Sequence, residues 1–110
     1  MTQRDLFVRL HVGRIRTLTG EYFLTYDECQ LVITYIRENK LTIILGGDVF
    51  YKNDMDIYAL WCYQSDNTLS YEDNTIQSCD KALSYISSLV NKEMLTYILV
   101  LDVKQLQNNN

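Results

Sequence analysis

Proline is absent from the 110 residues, glycine occurs four times, histidine and tryptophan once each, and cysteine three times. The missing proline decides nothing about the fold. The scarce glycines, at 13, 20, 46 and 47, cannot assemble a phosphate loop or a dinucleotide fingerprint, which excludes a nucleotide enzyme on motif grounds. With His11 the sole imidazole, a Ser-His-Asp or Cys-His pair would have to use it, yet no nucleophile elbow or cysteine motif accompanies it. A solvated or hydrogen-bonded strand histidine is the plainer reading. Cys29, Cys62 and Cys79 are odd in number, widely spaced and set among apolar residues. They suit small hydrophobes in a reducing cytosol and lack the paired spacing of a zinc site. No apolar segment is long enough to span a bilayer, and Arg9, His11, Arg14 and Arg16 interrupt the N-terminal apolar residues before a secretion signal can form. The expectation is a cytoplasmic, non-catalytic chain with no metal and no cofactor.

What the chain has is a divided charge. The net −4 conceals a stretch from Asp48 to Asp80 with seven carboxylates (Asp48, Asp54, Asp56, Asp66, Glu72, Asp73, Asp80) against Lys52, before the cation Lys81, for a formal −6. Residues 1 to 16 carry Arg4, Arg9, Arg14 and Arg16 against Asp5 alone, for +3. Phosphates would be repelled by the larger of these regions, so nucleic acid and membrane are not expected as partners. The length fits one domain over residues 1 to 110, with an N-terminal region (1–26) left unassigned beyond a strand and a polar tail at 104–110.

Residues 6 to 12 alternate Leu6, Val8, Leu10, Val12 against Phe7, Arg9, His11, Gly13, which predicts a half-buried strand, with a short helix as the alternative. Thr25-Tyr26-Asp27-Glu28 has capping-box spacing. It predicts a helix over 27–38 with Cys29, Val32, Ile33 and Ile36 on one face and Asn39 as its left-handed stop. Leu41 to Leu45 reads as a strand covered on both faces. Val49 to Lys52 and Ile57 to Tyr63 read as a hairpin around 53–56. Gln64 to Asp73 reads as a loop. Asp73 or Asn74 is placed to cap a second helix bearing Ile76, Cys79, Leu83, Ile86 and Val90, which Asn91 ends. Leu95 to Val103 is apolar enough to lie centrally in the sheet. The predicted fold is α+β: two helices in a single layer on a mixed or antiparallel sheet of four to five strands.

Gly46-Gly47-Asp48, between two strand-like runs, indicates a tight turn, a bulge or a close backbone approach, with direct partner contact as the other reading. Trp61 reads as a core anchor or a binding hot spot. Asp48, Asp54 and Asp56 offer oxygen ligands for a divalent cation, but hairpin turns select Asp and Asn without one. Nine tyrosines, of which Tyr51, Tyr58, Tyr63 and Tyr71 are interleaved with the acids, make rigid aromatic anchors among carboxylates, as on a protein-binding face. The alternative is a solvated rim with half-buried tyrosines.

The run from Leu41 to Phe50 with Gly46-Gly47-Asp48, after an amphipathic helix and before Trp61-Cys62-Tyr63, resembles the immunity protein 40 family of bacterial polymorphic toxin and contact-dependent inhibition systems. The resemblance covers roughly Asp27 to Val103. It implies a small α+β domain whose marked positions are Gly46, Gly47, Asp48 and Trp61, and a function of neutralising a cognate toxin in the cytoplasm. Independently of that resemblance, an acidic, tyrosine-rich domain complements the basic cleft of a nuclease, with binding at an exosite equally open. The residues expected to touch the toxin are Asp48, Asp54, Asp56, Tyr58, Trp61, Asp66, Glu72 and Asp73. Two rivals stand beside this reading: a small hydrolase using Cys62 or Cys79 near His11, and an RNA-associated or regulatory module using the N-terminal arginines.

Overall fold

Thr2 starts the first element, and it is a helix. In the computed structural model, which describes residues 1–15, 20–51 and 56–108, Asp5 N–H donates to the Thr2 hydroxyl at 3.1 Å and Thr2 N–H donates to the Asp5 carboxylate at 3.0 Å. This capping box opens α1 (Gln3–Leu10), and His11 closes it in the left-handed region at φ 56°. The strand expected over residues 6 to 12 is thereby corrected. Leu6 and Phe7 are both buried while Val8 is 62% exposed, so adjacent rather than alternate residues face inward. The Thr2-x-x-Asp5 spacing was the signal that outweighs the apparent period of two.

After α1 come a short ribbon, β1 (Arg14–Ile15) and β2 (Tyr22–Phe23), then α2 (Tyr26–Asn39), β3 (Ile44–Tyr51), β4 (Ile57–Cys62), α3 (Tyr71–Ser87), β5 (Leu95–Leu101) and α4 (Val103–Gln107). The Thr25 capping box forms as read, and the second Glu28 oxygen accepts from Gly13 N–H at 3.2 Å. One carboxylate therefore ties the start of α2 to the chain leaving α1. The left-handed stop falls on Lys40, one residue beyond Asn39. Ser70, not Asp73 or Asn74, caps α3, leaving Glu72 and Asp73 in its first turn where the helix dipole favours them. The helix ends at Ser87 with Val90 outside it and 70% exposed, and Asn91 is left-handed at the head of a 3-10 turn.

The fold is α+β, but its layers differ from the expectation. Among the described residues there are four α-helices, an antiparallel three-stranded sheet in the order β4-β3-β5, and the separate β1–β2 ribbon, which reaches β5 through a Leu24–Tyr97 bridge. The central strand is β3, and β5 lies beside it. The unbroken apolar run of β5 reflects cover on both faces, not a middle position: Tyr97 and Leu99 join the helix-side core, while Thr96 and Ile98 are buried on the other side. The segment read as a polar tail is α4, capped by Asp102, with Leu106 fully buried.

α2 and α3 lie together against one sheet face. Arg37 of α2 donates to Asp80 of α3 at 2.7 Å. Cys29, Val32, Ile33 and Ile36 meet Cys79, Ala82 and Ile86 there, over Ile44, Val49, Trp61, Tyr97 and Leu99. The expected strand at 41–45 begins only at Ile44 and runs straight through Gly46-Gly47-Asp48 to Tyr51.

Candidate functional site

The register fixes what each side of the sheet presents. Asp48 pairs with Leu60 on one side and Ile98 on the other, and Gly46 pairs with Cys62 and Val100. Residues paired across strands share a face, so Asp48, Leu60, Cys62, Ile98 and Val100 look away from α2 and α3. Gly47, paired with Trp61 and Leu99, looks towards them. The glycines do local work there. A Cβ on Gly47 would overlap the Trp61 indole, and one on Gly46 would strike the Trp61 carbonyl and the Cys62 Cα. The close-approach reading describes both positions, and a register shift between Ile44 and Gly46 supplies a bulge as well.

Trp61 is 6% exposed and stacks on Tyr85 of α3 with ring centroids 5.1 Å apart. It supports the outward face from behind. Tyr85 also donates to the Leu60 carbonyl at 3.1 Å and Lys81 to the Cys62 carbonyl at 2.6 Å, which occupies the outer edge of β4 and discourages strand addition there.

The outward face is apolar and partly bare. The β1–β2 ribbon covers one end of it through Phe23, whose ring lies 5.5 Å from that of Phe50. Elsewhere Leu60 is 60% and Val100 43% exposed, Cys62 is an exposed free thiol, and Asp48 stands half-buried among them. The Asp48 carboxylate has no hydrogen-bond or ionic partner among the described residues. Leu60, Cys62 and Val100 were not legible as one surface, because β4 is apolar on both its alternating faces and nothing in its composition says which side stays open.

The remaining acids do not form one cluster. Asp56 precedes β4 and Asp66 follows it, so the six residues of β4 hold them roughly 20 Å apart. Asp54 lies outside the described residues. Tyr58, 38% exposed, packs edge-on against Tyr51 at 5.0 Å near the Asp56 end. At the other end, Asp66, Glu72 and Asp73 gather around the start of α3, all exposed. Glu72 lies 3.6 Å from Lys40, and Asp80 is engaged by Arg37; sequence reasoning missed both pairings, since the cations come from α2 and its cap. The Thr68 hydroxyl and N–H, donating at 2.6 and 2.9 Å, hold the Asp66 carboxyl below the usual carboxylate range.

Asn74 builds this acidic end. Buried within α3, it accepts from the Tyr63 hydroxyl at 2.6 Å and Asp66 N–H at 2.8 Å, and donates to the Asp66 and Ser70 carbonyls at 3.0 Å. Asn74→Ala strands several of these groups and is expected to cost about 1–3 kcal/mol. Urea unfolding measures that loss, and faster amide exchange at Asp66 reports the released loop.

The N-terminal arginines scatter over α1 and β1, with Arg4, Arg9 and Arg14 exposed and Arg16 outside the described residues. His11 serves as the C-cap of α1. Cys29 and Cys79 are buried, and burial pushes the Cys79 thiol up to about 12, which opposes a nucleophilic role for it. No described helix is long and apolar enough to cross a membrane.

A family model described as Immunity protein 40 matches residues 13–101, and the chain belongs to that family. The match begins earlier than the resemblance read from the sequence, taking in the β1–β2 ribbon, and it ends with β5. No curated protein and no solved structure matches the chain.

Proposed function

We propose that this immunity protein, whose family sets it against a toxin, neutralises a nuclease in the cytoplasm by one-to-one occlusion of a basic substrate cleft. The observation that carries this reading is the placement of exposed carboxylates beyond both ends of β4, with Asp48 between them on the sheet face. A nuclease cleft must be basic to hold phosphates. A carboxylate-bearing surface of this length fits along it, with Asp56 and Tyr58 at one end and Asp66, Glu72 and Asp73 at the other. Asp66 and Asp73 have no ion pair among the described residues, so they project an uncompensated field. Such fields raise association towards about 10⁸–10⁹ M⁻¹s⁻¹ at low salt. Asp54 belongs to the same acidic turn as Asp56 by sequence. Trp61 supports β4 from behind the face, buried against Tyr85.

Association kinetics test the reading. The triple change Asp66→Asn, Glu72→Gln and Asp73→Asn is expected to slow association with the cognate toxin by about tenfold at low salt and to flatten its salt dependence. Unchanged rates would remove this acidic end from the interface.

A further inference from the structure

We propose that the bare part of the sheet face takes a single arginine side chain of the toxin, whose guanidinium pairs with Asp48 while its stem lies between Leu60, Cys62 and Val100. This rests on the reading above and names the group that the face recognises. Asp48 is a poor choice for the fold. Aspartate is depleted in strands, and here it occupies the central strand between Leu60 and Ile98 without a partner among the described residues. A carboxylate half withdrawn from water and left unpaired costs stability. Such breaks of local preference collect where a protein meets its ligand.

The surroundings specify the ligand. Gly46, two residues before Asp48, is itself buried and adds no side chain between Cys62 and Val100. The exposed Leu60, Cys62 and Val100 side chains therefore form apolar walls around one half-buried carboxylate. An ammonium is a compact, strongly hydrated charge and gains little from such walls. A guanidinium is flat and weakly hydrated, and it presents two parallel N–H groups to one carboxylate. Leu60, 60% exposed, then closes over the pair and excludes water, the setting in which an anchor residue dominates an interface. The pair acts at short range. It therefore governs dissociation, whereas the outlying acids govern association.

The chain carries its own probe, because Cys62 is exposed on this face while Cys29 and Cys79 are buried. The experiment compares wild type and Asp48→Asn with the cognate toxin, measuring iodoacetamide labelling of Cys62 and dissociation rates. Expected are a labelling rate at least tenfold lower in the complex, and at least tenfold faster dissociation of the variant with little change in association. Urea unfolding of the variant should show a midpoint no lower than wild type. One arginine-to-alanine change in the toxin should reproduce the loss and add nothing further to Asp48→Asn. Tight binding with Cys62 still reactive, or with Asp48→Asn dissociating like wild type, overturns the inference and leaves the immunity reading standing. No binding by wild type overturns both. Protection of Cys62 in the free protein, with a dimer in sedimentation, gives the face to a second copy and overturns the arginine.

Discussion

Replacing Gly47 by alanine should destabilise the protein by about 1–3 kcal/mol through forced overpacking, and the same change should be neutral or stabilising once Trp61 is alanine. The indole is trapped between Gly47 and the Tyr85 ring, so a methyl group has no space to enter without moving one of them. Trp61→Ala alone should cost about 3–5 kcal/mol as the core loses its largest side chain. In the cavity so formed the alanine methyl fits, and it removes the entropy that glycine loses in a strand. Urea unfolding of the four proteins gives the coupling between the two positions. Additive costs would show that Gly47 is required for a reason other than the indole. This prediction separates the residues of the Gly46-Gly47-Asp48 run: Gly47 serves the packing of Trp61, Gly46 allows the close approach of the β4 backbone, and the aspartate is left for the surface.

The second large effect lies at the other end of the chain. Leu106→Ala should cost about 2–5 kcal/mol, because Leu106 is fully buried on α4 beneath the Asp102 cap. Tyr71 reinforces this corner, donating to the Asp102 carboxylate at 3.1 Å and accepting from Ile43 N–H at 3.2 Å. Asn108→Ala, an exposed change two residues on, should stay within about 0.5 kcal/mol. Thermal or urea unfolding of both variants decides the matter; equal, small effects would return the segment to the status of a tail.

Leu106 also shows where sequence reading reaches its limit. A lone leucine between Gln105 and Gln107 gives no period, so only the tertiary contacts of α4 reveal that it is core. Residues 6 to 12 failed for the opposite reason, since a convincing alternation concealed a helix whose cap lay upstream at Thr2. Where signals reinforced one another, they pointed correctly: the Thr25 box with the Cys29-Val32-Ile33-Ile36 stripe gave α2, and the expected hairpin pairing of residues 49–51 with β4 is present, although the two strands read over 41–45 and 49–52 are one strand, β3. The face itself was only half legible. Gly46-Gly47-Asp48 and Trp61 stood out by type, but their division between the two sides of the sheet depends on pairing register, which a single sequence does not fix. The strand read over 57–63 did place Asp56 and Asp66 at its opposite ends, as β4 does.

The most direct test of the account is calorimetric titration of this chain with its cognate toxin, at two salt concentrations. The account predicts one-to-one nanomolar binding that weakens as salt rises while retaining a salt-resistant part from the Asp48 pair. Absence of binding at either salt would contradict it.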